Sequence, residues 1–394
     1  MNILFVIDNI NARGDANINL VKKLSAHMEK EGNKVYFAGH STVKEDDGFS
    51  FYYPWDERVR GVFFSLRGKS LPGKILTLLS HPFLSFLGLF KVFNIDLISH
   101  FYKKKIQRLC PRYDIGAVVS VSAPFYTAKG LAKAKIKAKK IILMFDPYAK
   151  HYTFGNKRTE KMEKKCFDAV SRVFLPVQIA DMYADEKIQG TEFPAVSTKP
   201  MVAETDGLLG KDKINLVYAG SLYSDIRSPA YLYDLLKKLG DEGVHLTVVG
   251  GVYGRFTQDF YDKYQDFINR NVTLTGRLPK EEADRYISRA DVLVNIGNLV
   301  DNMLPSKVLE CISTGKPVLN IAQIKSCPSL PYFEKYGNAL TFFTEDEPDE
   351  EMADRLRRFL QDRAVIPKEE ILNKFKNATA EYVADKILSA CAEK

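Results

Sequence analysis

The segment Asp301-Asn302-Met303-Leu304-Pro305-Ser306-Lys307-Val308-Leu309-Glu310, followed by Gly315-Lys316-Pro317-Val318, has the make-up of a strand end turning into a helix over an anion. An apolar run ends near Ile296, Pro305 sits where a helix begins, and Gly315 where it ends. The free N–H groups and positive dipole end of such a helix favour a diphosphate. Lys307 in the first turn adds a cation, and Glu310, one turn on, offers a carboxylate to a ribose diol. An ordinary capped helix with a solvent-facing lysine and glutamate fits the same letters. A second segment, Tyr218-Ala219-Gly220-Ser221-Leu222-Tyr223, runs on to Arg227-Ser228-Pro229. Its strand ends at Gly220, where a ligand can approach the backbone. Arg227 precedes a helix opening at Pro229, a place from which arginine clamps a phosphate bidentately. It equally fits a surface or interdomain ion pair.

Other places carry less. Val248-Val249-Gly250-Gly251-Val252-Tyr253-Gly254 is a glycine-rich strand end, and by itself a turn. Phe145-Asp146-Pro147-Tyr148 also follows a strand end, and Asp146 there fits an N-cap with Pro147 at the first helical position. Asn11-Ala12-Arg13-Gly14-Asp15-Ala16 follows the first strand but is no G-x-G-x-x-G loop, which argues against a nicotinamide oxidoreductase. The six histidines are scattered without metal spacing, so no metal and no cofactor are expected. Five cysteines, an odd number with no C-x-x-C pair, give no disulfide framework and point to a reducing compartment.

These segments need a frame of strands and helices to hold them. A chain of 394 residues suits two domains. Ile3–Ile7 reads as a buried strand, Asn17–Lys30 has helical spacing, and Val35–Ala38 is a second strand, a βαβ opening. Strands follow at Ile115–Val121, Lys140–Phe145 and Arg172–Leu175, with a helix from Tyr126 to Ala138. Gln189–Lys213 holds two prolines and three glycines and lacks a clear apolar period, as a linker does. A second series then begins, with strands at Asn215–Ala219, His245–Val249, Val272–Thr275, Val292–Ile296 and Pro317–Ile321. Its helices are expected at Pro229–Leu239, Lys280–Arg289 and Ser306–Ser313. The division is 1–190, a linker over 191–212, a second domain over 213–365, and a C-terminal helix over 366–394 crossing back to the first domain. The fold class is α/β, two Rossmann-like doubly wound domains, whose ligands belong at the carboxyl ends of the strands and in the cleft between domains.

In order and spacing, Ala219–Tyr223 with Arg227-Ser228-Pro229, Gly276-Arg277-Leu278-Pro279, Ala290-Asp291-Val292-Leu293, and Pro305-Ser306-Lys307 with Glu310 and Gly315-Lys316-Pro317 resemble retaining GT-B glycosyltransferases of the family-4 kind. They look most like the bacterial enzymes that build capsule, exopolysaccharide or lipopolysaccharide. The resemblance runs from about Asn215 to Asn320, and more weakly over Met1–Gly39 and Val118–Val177. It implies transfer of a sugar from a nucleotide-diphosphate donor, UDP favoured, to a saccharide or lipid-linked acceptor. Arg227 and Lys307 would hold the donor diphosphate, Glu310 the ribose, Gly220, Ser221, Pro305 and Ser306 the donor backbone, and Gly250 the turn near the base. Gly14 and Asp146 fall on the acceptor side, Asp146 beside the reacting hydroxyl. The sequence departs from the pattern eight residues before Glu310, where Asn302 replaces the sugar-contacting glutamate. No histidine follows Ser122-Ala123-Pro124, where relatives often place one. A sugar-nucleotide epimerase of the same fold, or a non-catalytic subunit of a polysaccharide assembly complex, would keep much of this pattern.

Charge is uneven. From Glu57 to Lys140 there are 17 Lys+Arg against 3 Asp+Glu, a local +14 that leaves −6 on the rest. Val62–Leu109 within it is apolar as well as basic. It suits either a core with solvated lysines or a peripheral contact with an anionic membrane. No nucleic-acid motif accompanies it. No leader peptide or spanning segment is legible, so a cytoplasmic location, peripheral to the inner face of the membrane, is expected.

Overall fold

The computed structural model describes residues 1–9, 16–40, 50–51, 95–122, 125–151, 155–199, 209–210, 212–240, 243–254 and 256–393. It divides into two compact units, Met1–Thr191 with Ala384–Lys394, and Glu192–Val383.

The first unit is built on strands β1 (Asn2–Asn9), β2 (Lys34–His40), β3 (Ser50–Phe51), β4 (Ala117–Ser122), β5 (Lys139–Met144), β6 (Arg172–Pro176) and β7 (Ile188–Thr191). They pair in the order β3-β2-β1-β4-β5-β6-β7, every pair parallel. Unbroken apolar runs such as Ile3–Ile7 form these strands because helices cover both faces of a parallel sheet. On one face Leu4, Val6 and Val118 pack against Tyr102, Ile106 and Leu109 of the helix Ile95–Arg112. On the other, Ile142, Met144 and Val173 meet Cys166 and Phe167 of the helix Lys157–Asp168. Leu109, the end of the apolar and basic stretch, is therefore core. Residues 62–94 of that stretch lie outside the described residues.

The second unit holds β8 (Ile214–Ala219), β9 (Leu222–Tyr223), β10 (Val244–Val249), β11 (Val252–Tyr253), β12 (Val272–Gly276), β13 (Val292–Ile296), β14 (Val318–Ala322) and β15 (Ala339–Phe343). Six of them form a parallel sheet in the order β12-β10-β8-β13-β14-β15, and β11 pairs with β9 beyond it. Leu216, Val248, Val292 and Val294 pack under Leu232, Leu235 and Leu236 of the helix Ala230–Lys237. Inside this sheet Asn295 and Asn320, both buried, sit directly across from each other. Asn295 Nδ2 donates to Asn320 Oδ1 at 2.8 Å, and Asn320 Nδ2 donates to Thr341 Oγ1 at 3.1 Å.

In each sheet the chain works outward on one side of its first strand, then returns to the other side. The reversal falls between β1 and β4, and between β8 and β13. A doubly wound sheet offers a crevice for ligands outside the carboxyl ends of those strands.

Two boundaries differ from the sequence reading. Residues 192–199, expected within the linker, pack on the second unit. Phe193, Ala195 and Val196 are buried, Val196 bridges to Thr379, and Ser197 N donates to Ser313 Oγ at 2.8 Å. A segment without apolar period still buries its side chains when it lies irregularly across a surface. The tail beyond 366 is two helices, Lys368–Phe375 and Ala380–Ala392, broken by a 3-10 turn at Lys376–Ala378. From Ala384 the last helix packs on the first unit, where His27 Nε2 meets Asp385 Oδ1 at 2.9 Å and Lys386 Nζ donates to Gly190 O at 2.9 Å.

Candidate functional site

In the second unit, the loops leaving β8 and β13 meet at the reversal point. Residues 223–227 close into a narrow loop, with Tyr223 N donating to Arg227 O and Arg227 N to Tyr223 O. This turn brings Arg227 back beside Gly220 and Ser221. Its Nη1 donates to Ser221 O at 3.3 Å and to Tyr218 Oη at 3.5 Å, and Tyr218 Oη donates to the same carbonyl at 3.0 Å. Nε and Nη2 both donate to Asn298 Oδ1, Nε at 3.1 Å. The free bidentate fork suggested by sequence is therefore braced from two sides. One Nη2 hydrogen stays without a partner among the described residues.

Across the loop, Asn298 Nδ2 donates to Met303 O at 3.1 Å, which leads into the helix Lys307–Ser313. This helix begins two residues later than Pro305. Ser306 is its N-cap and makes no side-chain cap bond, while Pro305 O receives Val308 N at 3.0 Å. Lys307 Nζ donates to Glu310 Oε2 at 2.7 Å. Burial pulls the Lys307 pKa down, but the Glu310 carboxylate, with Cys311 and Asp284, outweighs it and raises the pKa. Lys307 is thus a firm cation at neutral pH with its side chain still 36% exposed. Burial also raises the Tyr218 hydroxyl, against the opposing charges of Arg227 and Lys307, so both cations act on one phenol. Asn302 lies half-buried in the intervening loop.

Gly250 belongs to this place for a steric reason. A Cβ there would stand 1.8 Å from Gly220 O, so the turns after β8 and β10 touch backbone to backbone. Leu222 N donates to Gly251 O at 2.9 Å, continuing the contact into the β9–β11 pair. The structure thus gathers Gly220, Ser221, Arg227, Gly250, Pro305, Ser306, Lys307 and Glu310 around the β8 and β13 ends. Sequence reasoning missed Asn298, Tyr218 and Gln323, whose Nε2 donates to Ile226 O at 2.9 Å and also to Gly297 O. The one available signal was a polar Asn two residues past the mostly apolar strand β13.

In the first unit, Asp146 stands just beyond β5. No helix begins at Pro147, which removes the N-cap reading. The next helix, Lys157–Asp168, is capped by Asn156 through a capping box with Thr159. Burial raises the pKa of Asp146. Its loop is held from below, where Glu163 accepts from Ala149 N at 2.9 Å and from Tyr183 Oη at 2.6 Å, and Tyr148 stacks on Phe125 at 4.2 Å. Burial also raises Glu163 against those hydrogen bonds. Gly14 and residues 123–124 lie outside the described residues. Among the described residues no cluster of three His, Cys, Asp or Glu is placed to hold a metal, and no helix is long and apolar enough to cross a membrane.

Residues 213–362 match the family model described as glycosyl transferases group 1. No curated protein matches the chain. Among solved structures, the chain is similar to the apo form of the lipopolysaccharide outer core galactosyltransferase WaaB, with 12% identity and a TM-score of 0.57, covering 99% of each chain. It is similar to a TarM variant of S. aureus in complex with fondaparinux, α-GlcNAc-glycerol and UDP, with 10% identity and a TM-score of 0.56, covering 100% of each. It is also similar to a putative UDP-N-acetylglucosamine 2-epimerase from Listeria monocytogenes, with 10% identity and a TM-score of 0.57, covering 99% of this chain and 95% of that one.

Proposed function

We propose that the chain, whose residues 213–362 match the group 1 glycosyltransferase model and whose fold is GT-B, moves a sugar from a nucleoside diphosphate donor to a saccharide or lipid-linked acceptor of cell-surface polysaccharide synthesis, with retention at the anomeric carbon. One observation carries the donor half of this reading. Arg227 and Lys307 lie beyond the two strands that flank the β8/β13 reversal, and Asn298 ties the Arg227 guanidinium to the Met303 carbonyl four residues before Lys307. When the bond from the anomeric carbon to the diphosphate breaks, negative charge grows on the leaving oxygen. Two preorganised cations stabilise that charge without reorganising. They supply the positive charge a diphosphate needs, so we assign no metal or other cofactor. UDP is favoured by the ligand of the TarM complex. Glu310 is assigned to the ribose, with Asn302 at the donor sugar. The deciding experiment is calorimetry with UDP and GDP, followed by nucleotide release from UDP-sugars with and without oligosaccharide acceptors. Release only with acceptor is expected. Nucleotide release or sugar interconversion without acceptor would favour the epimerase reading, and no nucleotide binding would favour a non-catalytic subunit.

On the first unit, we assign Asp146 to an acceptor hydroxyl. A carboxylate whose pKa is raised by burial is a stronger base than an exposed one. It is also a stability cost. The folded state holds this proton more readily than the unfolded chain, whose value is near 3.8. The cost is absent below that value, grows as pH rises, and is complete above the raised folded pKa. Asp146→Asn is expected to match the parent in urea denaturation below the unfolded pKa and to exceed it at pH 7. It should bind UDP normally and lose transfer. Transfer at the parental rate would remove Asp146 from the acceptor site.

A lipid-borne acceptor would suit a protein that docks on an anionic, cytoplasmic membrane face. The helix Ile95–Arg112 turns Phe101, Lys104, Arg108 and Arg112 to solvent, while Tyr102 and Ile106 fill the core. Each cation near an anionic surface contributes about 1 kcal/mol. The chain should float with anionic liposomes at low salt, and less when Lys103, Lys104 and Lys105 become glutamine. Equal recovery with neutral vesicles would remove the electrostatic docking.

A further inference from the structure

Asn298 is 7% exposed and joins the loop after β13 to the loop after β8 side chain to side chain, through Arg227. Its amide orientation is dictated by chemistry. A guanidinium only donates, so Oδ1 must face Arg227, and Nδ2 must face the Met303 carbonyl. One amide therefore fixes the guanidinium and the backbone four residues ahead of Lys307. Two further contacts join the same loops through the backbone of Ile226, Leu299 N donating to its carbonyl at 3.3 Å, and Gln323, just after β14, bridging from Ile226 O at 2.9 Å to Gly297 O. These two hold the loops together without touching the guanidinium. Asn298 holds the Nε and Nη2 edge of that guanidinium, while Ser221 O and Tyr218 Oη hold Nη1.

We infer that Asn298 is a positioning residue that aims the Arg227 guanidinium at the donor diphosphate and keeps it in register with Lys307, an inference that rests on the donor site proposed above. A neutral amide suits this task. It accepts two N–H bonds from the cation without cancelling its charge, so the full positive charge remains for the leaving diphosphate. A carboxylate of the same shape would accept the same bonds, pair with Arg227 as an ion, and compete with the anionic ligand.

The test is calorimetric titration of UDP or GDP, whichever binds the parent more tightly, into N298A, N298D, R227A and N298A/R227A, each with its thermal midpoint. N298A should weaken nucleotide binding several-fold, and N298D should weaken it more than N298A. N298A should cost clearly less in the R227A background than in the parent, because most of its action runs through that guanidinium and only the Met303 anchor remains to be lost. A purely structural Asn298 would lower the midpoint and leave the affinity of the folded protein unchanged. Parental affinity in both Asn298 variants, with R227A weakened, overturns the inference and leaves the donor site standing. An equal loss from N298A with and without Arg227 also overturns it. Parental affinity in R227A would overturn the donor site and this assignment together. N298D keeps the volume and both accepted bonds but gives up the Nδ2 donation to Met303 O, so its affinity is read beside its thermal midpoint and beside N298A, which loses that donation as well.

Discussion

Lys307→Ala is expected to weaken nucleoside diphosphate binding by about 1–3 kcal/mol, roughly five- to 150-fold in Kd, on the scale of one charge-assisted hydrogen bond. The motive is the place of Lys307 at the first turn of the helix after β13, with its pKa raised and its side chain partly open to solvent. The loss has two sources. The ammonium goes, and the Glu310 carboxylate it pairs with at 2.7 Å then faces the anion without it. Lys307→Ala in a Glu310→Gln background should accordingly lose less affinity for the diphosphate than Lys307→Ala alone. Affinities should be read at several salt concentrations, because partly exposed charges are screened. Parental affinity in both variants would separate Lys307 from the donor and leave the ion pair as a local helix contact.

Gly250→Ala should be the most damaging single substitution for stability. The added Cβ would lie 1.8 Å from Gly220 O and 2.5 Å from Gly220 C, backbone atoms that cannot rotate away. The turns after β8 and β10 must then separate, and the β9–β11 pair opens with them. Overpacking together with lost backbone bonds should cost at least about 3 kcal/mol. That is a fall of roughly 10 °C in the second unit's midpoint. The sequence resemblance put Gly250 near the nucleotide base. A variant that melts like the parent but binds UDP poorly would restore that assignment and contradict the packing role.

Much of the second unit could be read from its letters. Lys280–Arg289 and Val292–Ile296 run as expected to the residue, because each is bounded by Pro279, Ala290-Asp291 or a change of period. The placement of Arg227, Lys307 and Glu310 beyond the ends of β8 and β13 was legible because strand-end and helix-start chemistry is local. What escaped is non-local. Nothing near Asn298 in sequence reveals that its partner is 71 residues away. β7 was hidden because Ile188–Thr191 is short and half-buried, and is recruited by its ladder with β6 more than by its own propensity. The N-cap alternative for Asp146, set beside its acceptor-side role, arose because Asp-Pro after a strand suits a helix start. Glu163, on a later helix, holds the loop as a loop.

The paired amides inside the second sheet bear on how the chain avoids misfolding. β13 reads Val-Leu-Val-Asn-Ile and β14 reads Val-Leu-Asn-Ile-Ala, apolar runs that any neighbouring strand would accept by hydrophobicity alone. A register slip would bury an amide opposite an aliphatic side chain at about 1–3 kcal/mol for each group left unmatched. Asn295, Asn320 and Thr341 satisfy one another only when the three strands are in this alignment. The three polar residues act as a proofreading mark written into the core, discriminating among arrangements that greasy strands cannot tell apart.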